Sequence, residues 1–220
     1  MGNAKKTGRW VLLWVLTGGV LWCLLGWVVF ILWGCMYVSG SAETEPLAKI
    51  TFLDVGQGLS VLMEYEGKFA LYDAGPDSMG VMDSLKARGI DTLEWVVMSH
   101  GHRDHGGGLM ELPEETSGSY LPKILVKRLY VGADSARSFV GDSVLRVMKR
   151  LSVRVDTLYR GDEISLGDLR LKVLWPVQYI SVGDNQASLV LEASLDSHKV
   201  LLTGDLDSIG ERRLLELSPN

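Results

Sequence analysis

From Trp10 to Val38 the chain reads WVLLWVLTGGVLWCLLGWVVFILWGCMYV, without a single charged residue. At about 29 positions this run exceeds the roughly 20 that an α-helix needs to cross a bilayer. It is therefore read as an uncleaved transmembrane helix over residues 10–38. A cleaved signal peptide would carry an apolar stretch of only about 7–15 residues. Cys35 follows LWG in faint likeness to a lipidation site, but bulky Trp33 stands where small residues are expected. Lys5, Lys6 and Arg9 precede the run and SGSAETE follows it. The positive-inside rule then keeps residues 1–9 in the cytoplasm and places everything beyond the span on the extracytoplasmic side of a single-pass membrane protein. Residues 39–48 are left as a linker and 49–220 as one folded domain.

Both cysteines, Cys23 and Cys35, fall within the apolar run, so the domain has no cysteine for a disulfide or a metal. Any metal there must be held by His, Asp or Asn. Without Lys5, Lys6 and Arg9, nineteen basic residues face 27 acidic ones, a formal charge of −8. This is not a nucleic-acid-binding composition, so a polyanionic substrate would need bound metal or local patches such as KILVKR (123–128). That patch otherwise reads as a solvated strand edge.

Within the domain, strand composition marks Lys49–Val55, Leu59–Tyr65 and Lys68–Asp73 as an antiparallel meander, punctuated by GQG and EGK. DSMGVMDSLKARG follows with helical spacing and a closing Gly89, and EWVVMS is a short buried strand. Further on, a strand is expected at Lys127–Val131 and a helix around Ser135–Arg150. Strands follow at Val153–Leu158 and Leu169–Trp175, then a hairpin of Ser188–Ser194 with Lys199–Thr203, and a final helix in GDLDSIGERRLLEL. Strands and helices alternate without repeats, which predicts an α/β domain of sheet layers flanked by helices.

The buried strand EWVVMS runs straight into SHGHRDHGGG, where three of the chain's 4 histidines sit within six positions. Imidazole nitrogens and carboxylate oxygens are ligands for zinc, manganese or iron. His100 and His102 share one face of an extended segment and can grip one ion. Asp104 and His105 at the following bend are free to grip a second, and the three glycines then start a helix.

HGHRDH resembles the HxHxDH signature of the metallo-β-lactamase superfamily. More narrowly, FLDVGQG, LYDAG, SHGHRDHGGG, NQASLVL and LLTGD occur in the order seen in the extracellular domain of ComEC/Rec2 competence proteins and their stand-alone relatives. The resemblance implies an αββα sandwich with two divalent metal ions, zinc or manganese, at one edge of the sheets. It makes His100 and His102 ligands of the first ion and Asp104 and His105 ligands of the second, with Asp205 bridging both. Asp73 resembles the carboxylate that orients the histidine loop. Asp54 matches a family hallmark without a chemical role that we can derive.

The chain departs from the family pattern in three places. Asn185 stands where many members place a third histidine, and it binds a metal directly or stands behind one. Leu59 follows GQG where an acidic residue is usual. The chain ends at LELSPN, whereas family members continue to a late histidine-containing segment, so the expected fold lacks its C-terminal part; His198, at a hairpin tip, is no substitute ligand. The resemblance implies a phosphodiesterase or nuclease acting on DNA outside the cytoplasm, with Asp104 orienting the attacking water. Serving DNA uptake would require a separate polytopic channel protein. Two other readings stand beside it: a hydrolase of a small ester, lactone or lactam, and a catalytically weakened accessory domain.

Overall fold

The computed structural model describes Trp27, Phe30 and residues 47–116, 119–177 and 185–217. Among these no helix is long and apolar enough to cross a membrane. The expected span over 10–38 lies outside the described residues except for Trp27 and Phe30, which are helical.

The domain opens with β1 (Ala48–Phe52), β2 (Ser60–Tyr65) and β3 (Lys68–Ala74), an antiparallel meander as the sequence predicts. Helix α1 (Val81–Ala87) follows. Next come the two-residue β4 (Thr92–Leu93) and β5 (Trp95–Met98), which pairs parallel with β3. All four residues of β5 are buried, because this central strand is covered on both faces. The histidine segment after β5 forms one helical turn, α2 (Arg103–Gly106), and a 3-10 turn, Gly107–Glu111. Helix therefore begins before the three glycines rather than at them.

A small hairpin, β6 (Pro113–Thr116) and β7 (Ser119–Pro122), precedes β8 (Leu125–Val126), which pairs with β4. Then come β9 (Arg128–Val131), a 3-10 turn at Ser135–Arg137, α3 (Phe139–Arg150) and β10 (Arg154–Thr157). The expected single helix from Ser135 to Arg150 is broken at Ser138. That residue is extended and caps α3, its hydroxyl accepting from Gly141 N at 2.8 Å. Such a cap contributes about 1 kcal/mol.

The second half is a meander of β11 (Glu163–Leu166), β12 (Leu169–Trp175), β13 (Val190–Leu195) and β14 (His198–Leu202), closed by α4 (Ser208–Glu216). The first sheet has the order β1-β2-β3-β5-β9-β10, with β3, β5, β9 and β10 mutually parallel. The second has the order β11-β12-β13-β14 and is antiparallel throughout.

Alternation along the strands of the first sheet builds two cores. Leu71, Val96, Met98 and Leu129 face α1 and α3, meeting Met82, Leu85, Val144 and Met148. Ala70, Tyr72 and Val97 face the second sheet, meeting Leu171, Leu191 and Leu202. Leu214 of α4 packs with Leu174 and Trp175 at one corner of the outer face, where Arg170 and Lys172 stay exposed. The parallel strands all finish at the same end of the sandwich, which is where side chains from separate strands converge in α/β sheets.

Candidate metal centre

At that end β3 delivers Asp73 and β5 delivers Ser99 and His100. Asp73 is fully buried and has φ 57°, a left-handed conformation costing a non-glycine residue on the order of 1 kcal/mol or more. Its carboxylate holds it there. Oδ1 accepts from Ser99 N at 2.6 Å, while Oδ2 lies 2.6 Å from Ser99 Oγ and 2.8 Å from His105 Nδ1. Ser99 Oγ also lies 3.0 Å from His100 Nδ1.

A hydroxyl has one proton to give. If Ser99 donates to the carboxylate, it accepts from His100 Nδ1–H, which leaves the His100 Nε2 lone pair directed elsewhere. That Nε2 is buried and has no hydrogen-bond partner. In the same way Asp73 takes Nδ1–H of His105, whose Nε2 lies 3.1 Å from Asp205 Oδ1 and 3.9 Å from Asp104 Oδ2. A lone pair facing carboxylate oxygens is repulsive unless a proton or a metal ion lies between them. His100, His105 and Asp205 each offer a ligand atom within 4.8 Å of the others. The donor set and the orphaned Nε2 both fit a divalent cation.

Electrostatics follow the same logic. Burial, then the neighbouring His105, pushes His100 down to about 4, so it is neutral near pH 7 as a ligand must be. Burial also lowers His105, but the hydrogen bond and charge of Asp73, with Asp205 and Asp104 behind it, outweigh burial and raise it.

His102 caps α2 in an extended conformation, its ring set edge-on to His100 at 4.6 Å between centroids. Asp104, on α2, is about one-third exposed. The nearest triple therefore joins His100 and His105, which the sequence assigned to different ions, and His102 and Asp104 flank it. Asp205 lies beyond β14 and is the most exposed member.

Close backbone contact fixes the loop. A Cβ on Gly108 would lie 2.2 Å from Ala74 O, and one on Gly58 would lie 2.4 Å from Asp104 O. Leu59 contributes through its backbone: its N–H donates to Asp104 O at 3.1 Å and its carbonyl accepts from Gly75 N at 2.8 Å. Asn185 opens a short 3-10 turn leading to Leu189, whose N–H donates to Ser99 O at 2.8 Å. Asp54 is exposed and accepts from Gly56 N at 3.3 Å, a turn contact within the loop between β1 and β2. His198 opens β14 beside Ile50 and Val200, away from the other three histidines.

Sequence reasoning missed Ser99, the hydroxyl that links Asp73 to His100, and Tyr72, whose hydroxyl donates to Leu189 O at 2.7 Å. It also missed the two-bond pairing of Arg103 with Asp77, at 2.7 and 2.5 Å. A serine directly before the first histidine was the only available sign of the first.

The sequence pattern of the family described as "Metallo-beta-lactamase superfamily" matches residues 53–219. The chain belongs to that superfamily. Among curated relatives, competence protein ComA of Neisseria gonorrhoeae is 28% identical over 192 residues, 86% of this chain and 24% of the relative. ComE operon protein 3 of Bacillus subtilis is 27% identical, over 94% of this chain and 27% of the relative. The chain thus spans about a quarter of the length of either one. Among solved structures, the metallo-β-lactamase fold protein YhfI of B. subtilis aligns with a TM-score of 0.49 and 15% identity, covering 73% of this chain and 63% of its own. The superfamily's metal-dependent hydrolases give the cluster of His100, His105 and Asp205 its chemical context.

Proposed function

We propose that the chain is a membrane-anchored, metal-dependent phosphodiesterase acting on DNA outside the cytoplasm. The observation that carries the hydrolase reading is the buried, partnerless His100 Nε2 beside His105 Nε2 and Asp205. The DNA substrate rests on the likeness to competence proteins across most of this chain. Anchoring rests on the uncharged run 10–38.

His100, His105 and Asp205 would hold an ion as the nearest donors, with His102 and Asp104 beside them as donors to a second and Asn185 as a further candidate ligand. When bound, two divalent ions, zinc or manganese, supply an acidified water and neutralise charge developing on a phosphodiester. Asp73 keeps the His105 imidazole turned toward the site, and Ser99 does the same for His100. Asp104, partly exposed, orients the attacking water and takes its proton.

The test is metal content of the full chain in detergent, measured beside cleavage of single-stranded DNA. Two bound ions and metal-dependent cleavage are expected, and Asp205→Ala should lower both by about 10-fold or more while leaving the fold intact. A metal-loaded chain that hydrolyses carboxylic esters or lactones and leaves DNA untouched would overturn the substrate. A chain that binds no ion would overturn the hydrolase.

A further inference from the structure

The end of the sandwich opposite the histidines carries a different chemistry. Here β3, β5 and β9 begin, and a groove of about 330 Å³ runs between the sheets, lined by Lys68, Lys127 and Arg128 over Trp95 and Tyr130. Lys127 pairs with Glu94 at 2.6 Å, and Arg128 shares Asp156 with Arg154. Lys68 is exposed and makes no ion pair among the described residues. Helices α1 and α3 also finish at this end, with exposed Arg88 and Lys149. In a domain whose 19 basic residues face 25 acidic ones, a formal charge of −6 over 49–220, these six basic groups outnumber Glu66, Glu94, Asp156 and Asp168 at the same end. It also absorbs the basic run KILVKR, whose last two residues line the groove.

The chain arrives here: Ala48, the first residue of β1, pairs with Tyr65, which pairs in turn with Lys68. Only nine residues, 39–47, separate β1 from the apolar run, at most ~30 Å when fully extended. Leu47, just before β1, and Leu125, two residues before Lys127, are each 50% exposed. Exposed leucines at a basic end suit the boundary between headgroups and acyl chains.

Resting on the anchoring reading above, we propose that this basic end docks on anionic phospholipid headgroups, with Lys68, Lys127 and Arg128 taking lipid phosphate. The histidine cluster then faces away from the bilayer. Asp73 lies five residues along β3 from Lys68, roughly 17 Å at strand rise, so the two surfaces do not compete for one ligand.

The experiment uses the full chain in nanodiscs of phosphatidylcholine alone, or of equal parts phosphatidylcholine and phosphatidylglycerol, with amine labelling of each lysine read by mass spectrometry. Lys68 and Lys127 should label about fivefold more slowly with phosphatidylglycerol present, and high salt should erase the difference. Lys172, exposed on the outer face of the second sheet, should label equally in both. Lys68→Glu should reduce the protection of Lys127. An anchored chain that labels identically in the two lipids overturns headgroup docking and leaves anchoring intact. Protection that appears only on adding single-stranded DNA assigns the groove to nucleic acid and overturns it as well. A chain that fails to enter nanodiscs overturns both readings.

Discussion

The same strands β3, β5 and β9 finish among buried polar groups that answer one another and begin among exposed charges that pair loosely. At the finishing end Asp73, Ser99, His100 and His105 are sealed from solvent, and moving Asp73 or Ser99 leaves another without a partner. At the starting end Lys127 and Glu94 meet at 2.6 Å, but both remain hydrated, the lysine side chain half exposed. A polar contact is worth what its alternative costs. Water replaces a lost partner at one end and cannot at the other.

The largest effect that would sharpen this contrast is that of Asp73→Ala. It strands Ser99 N–H and takes the carboxylate away from Ser99 Oγ and His105 Nδ1 in a dry site, and should cost about 3–5 kcal/mol in chemical unfolding as well as most of the metal affinity. A loss below about 1 kcal/mol would show that the site is wetter than its burial indicates.

The second effect runs the other way. Asp134, buried near the finishing ends, is raised above the usual carboxylate range by burial, against the opposing influence of its own backbone and Arg137. Its folded form therefore holds a proton more tightly than its unfolded form. The favourable contribution is complete below the unfolded pKa of about 3.9 and disappears as pH rises through the folded value. Asp134→Asn should raise Tm by a few degrees at neutral pH, with the gain closing as pH falls toward 4. A gain that persists unchanged in acid would assign the effect to packing instead. The smallest effect is that of Lys127→Ala, expected within about 1 kcal/mol of the parent in urea unfolding. A larger loss would make the two ends alike.

These two ends were also unequally legible. The strands that build the cores announced themselves as apolar runs, and Leu169–Trp175 keeps the bounds read from its alternation. The two-residue β4 and β8 are too short to show any period, yet they help shape the starting end. Three histidines and an aspartate in one loop marked the candidate metal centre. Ser99 and Tyr72 carried no such mark, because their roles come from neighbours brought close by folding. The extended segment expected through His102 is extended there and turns helical at Arg103, where Leu59 N–H bonds Asp104 O and Gly108 N–H bonds Gly75 O. The basic run KILVKR was visible as charge alone; that its last two residues share a groove with Lys68 follows only from β3 and β9 starting at the same end.

The bonds from Leu189 N–H to Ser99 O and from Tyr72 Oη to Leu189 O join parts of the chain up to 117 residues apart. Asp205 arrives later still, after the last hairpin of the second sheet. Such distant pairings form slowly, because the loop they close must be ordered before they give anything back. A nascent chain with only its first sheet assembled holds the histidines but not Asp205, and so cannot capture an ion in the completed cluster. An ion taken by the completed cluster would therefore bind late in folding, and would slow escape of the finished domain from its native state rather than hasten its formation.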